Sequence, residues 1–213
     1  MPQNNAELFK SQGYVKVASV LSPEMCELIA KYVCLKAKAR PNSIKSDSPL
    51  GGVHREYGDP MMETLLEHLQ ETVEQATDLA LWPTLSFYYH YQKGNDLKPH
   101  KDRESCEIVA GLCIGADQDY RKSNGTWPLL LKDAPPIHLD YGDIIIFKGS
   151  STEHWRESFT GSWFVSAILG YVDRNGPFAH QRFDQRAGLG KAHVGMLAWT
   201  VGELKAKVFN LFS

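Results

Sequence analysis

Two imidazoles and one carboxylate in this chain form a set able to hold a metal ion: His100, Asp102 and His154. His100 and Asp102 sit two positions apart in Lys98-Pro-His-Lys-Asp-Arg103. In an extended segment, side chains two apart share a face, so one strand end can offer both groups to one ion. His154, in Ser151-Thr-Glu-His-Trp-Arg-Glu157, would bring the third ligand from a distant segment. Three such ligands on one face of an octahedral ion leave three positions open, an arrangement suited to Fe(II) that must also take up a cosubstrate and O₂. A His-x-Asp pair alone is a weak signal, because it arises by chance in many chains as polar residues on surface turns. Its context here is stronger. An upstream strand, a turn at Gly94, a strand after Asp102, the turn Asp140-Tyr-Gly-Asp143, the run Ile144-Ile-Ile-Phe147 and then His154 follow in a sensible order.

Elements able to position these groups can be read along the chain. The segment 13–19 alternates like a short strand. A helix signal follows, with Ser22 as N-cap, Pro23 at the first helical position, and Met25, Leu28, Ile29, Tyr32 and Val33 on one face. It ends near Arg40-Pro41. Residues 41–59, rich in Pro, Ser, Gly and Asp, read as a loop long enough to serve as a lid over the site. A second helix begins at Asp59-Pro60, with Met62, Leu65, Leu66, Leu69, Val73 and Ala76 at helical spacing. After Trp82-Pro83 the character changes to short β-rich runs: 84–92, 106–116, 127–132, 143–149 and 163–172. Several short strands broken by turn residues indicate a sandwich or barrel. The expected plan is a single domain over 1–213: a helical N-terminal part (1–80), a β core (81–173) and a C-terminal extension (174–213), with a last amphipathic helix at 201–212.

The run Tyr91-Gln-Lys-Gly94-Asn-Asp-Leu97-Lys-Pro-His100-Lys-Asp102 resembles the YxxGxxxxxHxD signature of Fe(II)/2-oxoglutarate-dependent oxygenases of the prolyl-hydroxylase-like type. Tyr141-Gly-Asp-Ile-Ile-Ile-Phe147 is similar to their PGDxxxF segment before the distal His, and Gly13-Tyr-Val-Lys-Val with Leu21-Ser-Pro-Glu24 to their opening segment. The resemblance covers most of residues 7–172. It implies a mainly β chain with flanking helices (α+β) around a double-stranded β-helix, or jelly roll, with Fe(II) held by His100, Asp102 and His154 at its mouth. It implies 2-oxoglutarate as cosubstrate, O₂ as oxidant, and hydroxylation of an unactivated C–H bond with release of succinate and CO₂. Desaturation or ring closure needs no different ligands. Halogenation is disfavoured, because Asp102 supplies the carboxylate that related halogenating enzymes lack.

The chain departs from this pattern at one place. The family usually sets an Arg or Lys about ten residues after the distal His, to pair the far carboxylate of 2-oxoglutarate. Here that region is Gly161-Ser-Trp163-Phe164-Val-Ser166, and 163–172 contains no Lys or Arg. An unpaired buried carboxylate is expensive. Arg156, two positions after His154, shares its face on an extended strand and carries the fork best suited to a carboxylate. Its competing role is a solvated ion pair with Glu153 or Glu157. Tyr89, Tyr91 and Ser166 could add hydroxyls. Arg103 would point away if its strand continued, and Arg174 follows the last strand. The missing cation keeps two alternatives open: a metal-dependent jelly-roll enzyme that does not use 2-oxoglutarate, and a non-catalytic jelly-roll binding module.

Other residues carry less. His90 neighbours Tyr89 and Tyr91 and would face away from them, as a packing or surface histidine; His180 lies in a polar run that could close over the site. Cys106 and Cys113 read as buried thiols, and Trp127 and Trp155 as core or pocket wall. The 213 residues carry a formal charge of −2, so no basic field favours nucleic acid. The polar N-terminus lacks the apolar stretch of a signal peptide, and no apolar run is long enough to span a membrane. The four cysteines contain no CxxC pair and read as reduced thiols of a cytoplasmic protein. A small-molecule or peptide substrate is expected. Neither its identity nor the oligomeric state is legible.

Overall fold

The computed structural model describes residues 4–39, 44–45 and 52–191. In chain order they form α1 (Asn5–Gln12), β1 (Tyr14–Val17), α2 (Pro23–Ala39), β2 (Ile44–Lys45), β3 (Val53–Tyr57), α3 (Pro60–His68), α4 (Gln70–Thr77), β4 (Leu81–Gln92), β5 (Leu97–His100), β6 (Ile108–Ala116), α5 (Gln118–Asn124), β7 (Leu130–Leu131), β8 (Ile144–Phe147), β9 (His154–Arg156) and β10 (Trp163–Asp173). Short 3-10 segments cover Glu104–Cys106 and Ala179–Gln185.

The strands make two antiparallel sheets. The larger has the order β1-β8-β6-β10-β4-β3-β2, and the smaller β5-β9-β7. Helices cover the outer face of the large sheet, and the small sheet covers its inner face. This explains why every residue of β6 is buried: a strand covered on both sides reads as a continuous apolar run. Two apolar clusters follow. One lies between the helices and the large sheet, around Val33, Met62, Leu66, Ile114 and Leu169. The other lies between the sheets, around Leu85, Val109, Ile145, Phe147 and Phe164. The result is the expected jelly roll with flanking helices.

The helices differ in detail from their sequence signals. In α2 the buried face is Cys26, Ile29, Ala30 and Val33, whereas Met25 and Leu28 are exposed. The second helix starts where Asp59 accepts the Met61 N–H at 2.9 Å, a side-chain N-cap ahead of Pro60. It breaks at Leu69 (φ −93°, ψ −2°) into α3 and α4, yet all six expected apolar positions stay buried. α1 and α5 are short and largely polar, and periodicity did not reveal them.

The expected loop at 41–59 is corrected in part. β3 pairs with β4, from His54 opposite His90 to Tyr57 opposite Phe87, and β2 pairs with β3. β3 reads Val-His-Arg-Glu-Tyr, with Val53 and His54 buried and the rest half-buried, a polarity that hides the strand. The helical N-terminal part thus also lends three strands to the large sheet. Residues 41–43 and 46–51 of that loop and the expected helix at 201–212 lie outside the described residues. Among the described residues no helix is long and apolar enough to cross a membrane.

Candidate metal centre

His100 ends β5 and His154 opens β9, and the two stand opposite each other in the antiparallel ladder. Cross-strand partners approach closely, so their ring centroids lie 4.3 Å apart. Asp102 lies just beyond β5, so the strand that was expected to carry both residues has already ended. Its backbone N–H donates to Gly149 O at 3.0 Å, which fixes the turn. The ligating atoms of His100, Asp102 and His154 all lie within 4.8 Å of one another.

The protonation pattern prepares these atoms for a cation. His100 Nδ1 lies 2.8 Å from Lys98 O, and His154 Nδ1 lies 3.0 Å from Thr152 O. A carbonyl only accepts, so each Nδ1 carries the proton and each Nε2 presents a lone pair. This is the outer-shell arrangement typical of metal-binding histidines. The two Nε2 atoms face the Asp102 carboxylate at 3.4 and 3.7 Å. Three acceptors turned toward one point repel one another unless a positive charge joins them. Burial pulls the His154 pKa below its ordinary value, against the attraction of Asp102. At His100 burial acts in the same downward sense, but Asp102 and the Lys98 carbonyl favour the protonated ring, outweigh it and raise the pKa. The fit to a divalent ion is tightened by Gly149. A Cβ there would meet Val109 Cγ2 at 2.5 Å, Cys106 O at 2.6 Å and Asp102 Oδ2 at 2.7 Å, so only a glycine leaves the carboxylate its place.

The three groups line a cavity of about 310 Å³ between the sheets. Tyr89, Tyr91, Ser166 and Arg156 line it with them, as do Arg55, Lys101, Arg103 and Phe87. Arg156 is 7% exposed. Its Nη1 donates to Trp127 O at 2.5 Å, and its guanidinium lies over the rings of Trp127 and Phe164 at 4.8 and 5.1 Å. No carboxylate pairs with it among the described residues, so the ion pair with Glu153 or Glu157 does not form. Burial lowers its pKa, partly offset by Tyr91, Cys113 and Tyr120. Phe164, at the place where a cation was expected, packs beneath this guanidinium.

The other candidates fall into two groups. Arg103 does not turn away, because the strand has ended before it; it lines the cavity and pairs with Asp184 at 2.7 Å. Arg174 lies elsewhere, bonded to Leu81 O and paired with Glu74. His90 is buried on the opposite side of β4, next to His54, and burial lowers its pKa. Cys106 and Cys113 are buried thiols with raised pKa values, chiefly through desolvation. Trp127 is buried against Tyr91, Phe159 and Phe164. His180 bonds to its neighbour Gln181, in an exposed segment.

The polar run around His180 forms a strap after β10, but its contacts come from Asp184 and Arg186, which sequence reasoning did not single out. Asp184 Oδ2 accepts from Tyr57 Oη and Arg103 Nη2, each at 2.7 Å. Arg186 pairs with buried Glu63 at 2.6 Å and donates to Thr84 O at 3.1 Å. Phe183, Asp184 and Gln185 hold left-handed backbone at φ 54°, 55° and 60°, and no glycine in the run signals it.

Comparison with known proteins gives the fold a context. Neither a family model nor a curated protein sequence matches the chain. Solved structures do. A prolyl-4-hydroxylase from Pseudomonas putida superposes with a TM-score of 0.62 at 15% identity, over 80% of this chain and 97% of that one. The α-ketoglutarate-dependent carbocyclase SnoK of nogalamycin biosynthesis gives 0.65 at 13% identity, over 81% and 84%. HygX from Streptomyces hygroscopicus, solved with nickel and 2-oxoglutarate bound, gives 0.60 at 11%, over 82% and 88%. This chain has the fold of the Fe(II)/2-oxoglutarate oxygenases. Within that fold, the His100–Asp102–His154 cluster and the buried Arg156 line one cavity.

Proposed function

We propose that the protein is an Fe(II)- and 2-oxoglutarate-dependent oxygenase that hydroxylates an unactivated C–H bond. The observation that carries this reading is Arg156, a buried guanidinium without a carboxylate partner among the described residues, in the same cavity as two imidazole lone pairs and a carboxylate. A buried cation with no anion is costly, and a dicarboxylate cosubstrate supplies the missing charge. Iron bound by His100, Asp102 and His154 would provide oxidation by O₂ coupled to decarboxylation of 2-oxoglutarate to succinate and CO₂.

The chain's own residues do the rest. Arg156 grips the far carboxylate, with Ser166 and the Tyr91 hydroxyl as neighbouring donors. Tyr89 lines the wall between anchor and metal. Leu129, Ile145 and Phe147 line the cavity with apolar surface that excludes water from the reacting centre. Phe147 packs edge-on against the His154 ring at 4.9 Å and holds its plane. The substrate, a small molecule or a peptide, enters from the open side where Arg103 and Lys101 lie.

Purified protein incubated with Fe(II), 2-oxoglutarate and O₂ should release succinate, and 2-oxoglutarate should bind the Mn(II)-loaded protein. Metal binding without 2-oxoglutarate binding would favour a jelly-roll enzyme with another cosubstrate. Loss of both would favour a binding module.

A further inference from the structure

We propose that the cavity takes a substrate with an apolar or aromatic body and a terminal carboxylate or phosphate, gripped by Arg103 at the rim. The inference rests on the oxygenase reading and adds its substrate class.

The first observation is the balance of charge. The described lining residues include four permanent cations, Arg55, Lys101, Arg103 and Arg156, and a single carboxylate, Asp102. A bound divalent ion and the cosubstrate dianion offset each other, and Arg156 offsets Asp102. At the rim, Lys101 and Arg103 stand against the single carboxylate of Asp184. A cleft lined by one sign of charge attracts and orients the opposite sign.

The second observation is that Arg103 is held in place before anything binds. Its Nη2 donates to Asp184 Oδ2 at 2.7 Å, and that oxygen also accepts the Tyr57 hydroxyl. Asp184 is 3% exposed, whereas the Arg103 side chain is 55% exposed. One end of the guanidinium is therefore fixed, and its other donors remain open at the rim. An exposed arginine ordinarily loses rotamer freedom when it binds; here the strap orders it in advance. The three left-handed residues at 183–185 cost of order 1–2 kcal/mol each, and they present Asp184 at this spot. The planar fork suits a carboxylate or a phosphate.

The third observation is the wall. Tyr57 meets Phe87 edge-on at 5.2 Å, and Phe87 stacks with Tyr89 at 5.8 Å. Phe87 and Tyr89 line the same cavity as the metal set, so a head group on Arg103 can lay an apolar body along these rings.

Calorimetric titration of protein loaded with Mn(II) and 2-oxoglutarate tests the proposal, with phenylacetate, phenylacetamide and benzyl phosphate as probes. At least one anion should bind about tenfold or more tighter than the amide, and the tighter of the two names the head group. Arg103→Gln should bring the anions to within about twofold of the amide, with Arg103→Lys in between. Asp184→Asn, which keeps the shape but not the charge that orients the guanidinium, should lose part of the preference with amide binding unchanged. The proposal is overturned if the amide binds as well as both anions, if no probe binds at millimolar concentration, or if the preference survives Arg103→Gln. A separate titration of the Mn(II) protein with 2-oxoglutarate tests the oxygenase reading. Failure there, with the anion preference intact in the Mn(II) protein, removes that reading and leaves the Arg103 grip standing.

Discussion

Replacing Arg156 should separate function from stability in opposite directions. In the free protein this guanidinium is buried and makes one hydrogen bond, to Trp127 O, plus ring contacts. Arg156→Met keeps the volume and removes the charge. The lost hydrogen bond costs about 1–3 kcal/mol and the ring contacts up to about 2 kcal/mol. Against these stands the desolvation penalty of the ion, several kcal/mol. Thermal stability without cosubstrate should therefore stay level or rise. Cosubstrate binding should collapse, because removing one partner of a desolvated charge pair costs about 2–5 kcal/mol, roughly 30- to several-thousand-fold in affinity. The assay is a 2-oxoglutarate titration of Mn(II)-loaded wild type and variant, with a melting curve for each. Arg156→Lys should recover only part of the loss, for want of the planar fork. Phe164→Arg added to Arg156→Ala should restore some binding, since it returns a cation to the same space from the opposite sheet. If Arg156→Met leaves the dissociation constant within about threefold, Arg156 is not the anchor.

His100→Ala, Asp102→Ala and His154→Ala should each abolish metal binding and Fe(II)-dependent turnover while far-ultraviolet circular dichroism stays native; Mn(II) affinity near wild type in any one of them removes that residue from the set. Gly149→Ala should weaken metal binding as well as lower the melting temperature, because its Cβ would contact Asp102 Oδ2 at 2.7 Å; a loss of stability with full metal affinity would show that the glycine serves only packing. Asp59 is 1% exposed. Burial raises its pKa, but hydrogen bonds from Lys36 and Tyr32 win and hold it below its ordinary 3.8. Its stabilisation is present above that ordinary value and is lost as pH falls through the lower folded value. Asp59→Asn should therefore cost about 1–3 kcal/mol at pH 7, a gap that narrows below about pH 4; an equal gap at both pH values in urea denaturation would contradict this.

The candidate cluster of His100, Asp102 and His154 was legible because its information is local in kind. The residue types state the chemistry, and His100 and Asp102 need only a strand end to share a point. The long-range partner His154 was found through order along the chain. Strand alternation singled out Arg156, because β9 is short but regular and places it on the His154 side. The polar run of the strap was legible, but its contacts were not. Asp184 reaches Arg103 and Tyr57 through a left-handed run without glycine, and no local pattern encodes a contact across so much chain. β3 escaped for a related reason. It packs on β4 through Val53 and His54 while Arg55 lines the cavity, so neither face is simply apolar.

The proposed exchange of roles between positions 156 and 164 marks where reading by motif gives out. A cosubstrate carboxylate constrains where a positive charge lies in space, not which strand carries it. The space between the sheets is narrow enough that the guanidinium of Arg156, reaching from the small sheet, lies 5.1 Å from the ring centre of Phe164 on the large sheet. Either strand can fill that volume with a cation if the other fills it with a flat apolar ring, and the ring then stabilises the cation it faces. The absence of Lys and Arg from β10 therefore does not count against a dicarboxylate in the cavity. It turns the question into whether Arg156 and Phe164 act as one unit. Double-mutant coupling of 2-oxoglutarate affinity between Arg156→Ala and Phe164→Ala answers that directly. A unit gives an interaction energy of about 0.5 kcal/mol or more, whereas strictly additive losses would mean that Phe164 is only packing and the cation acts alone.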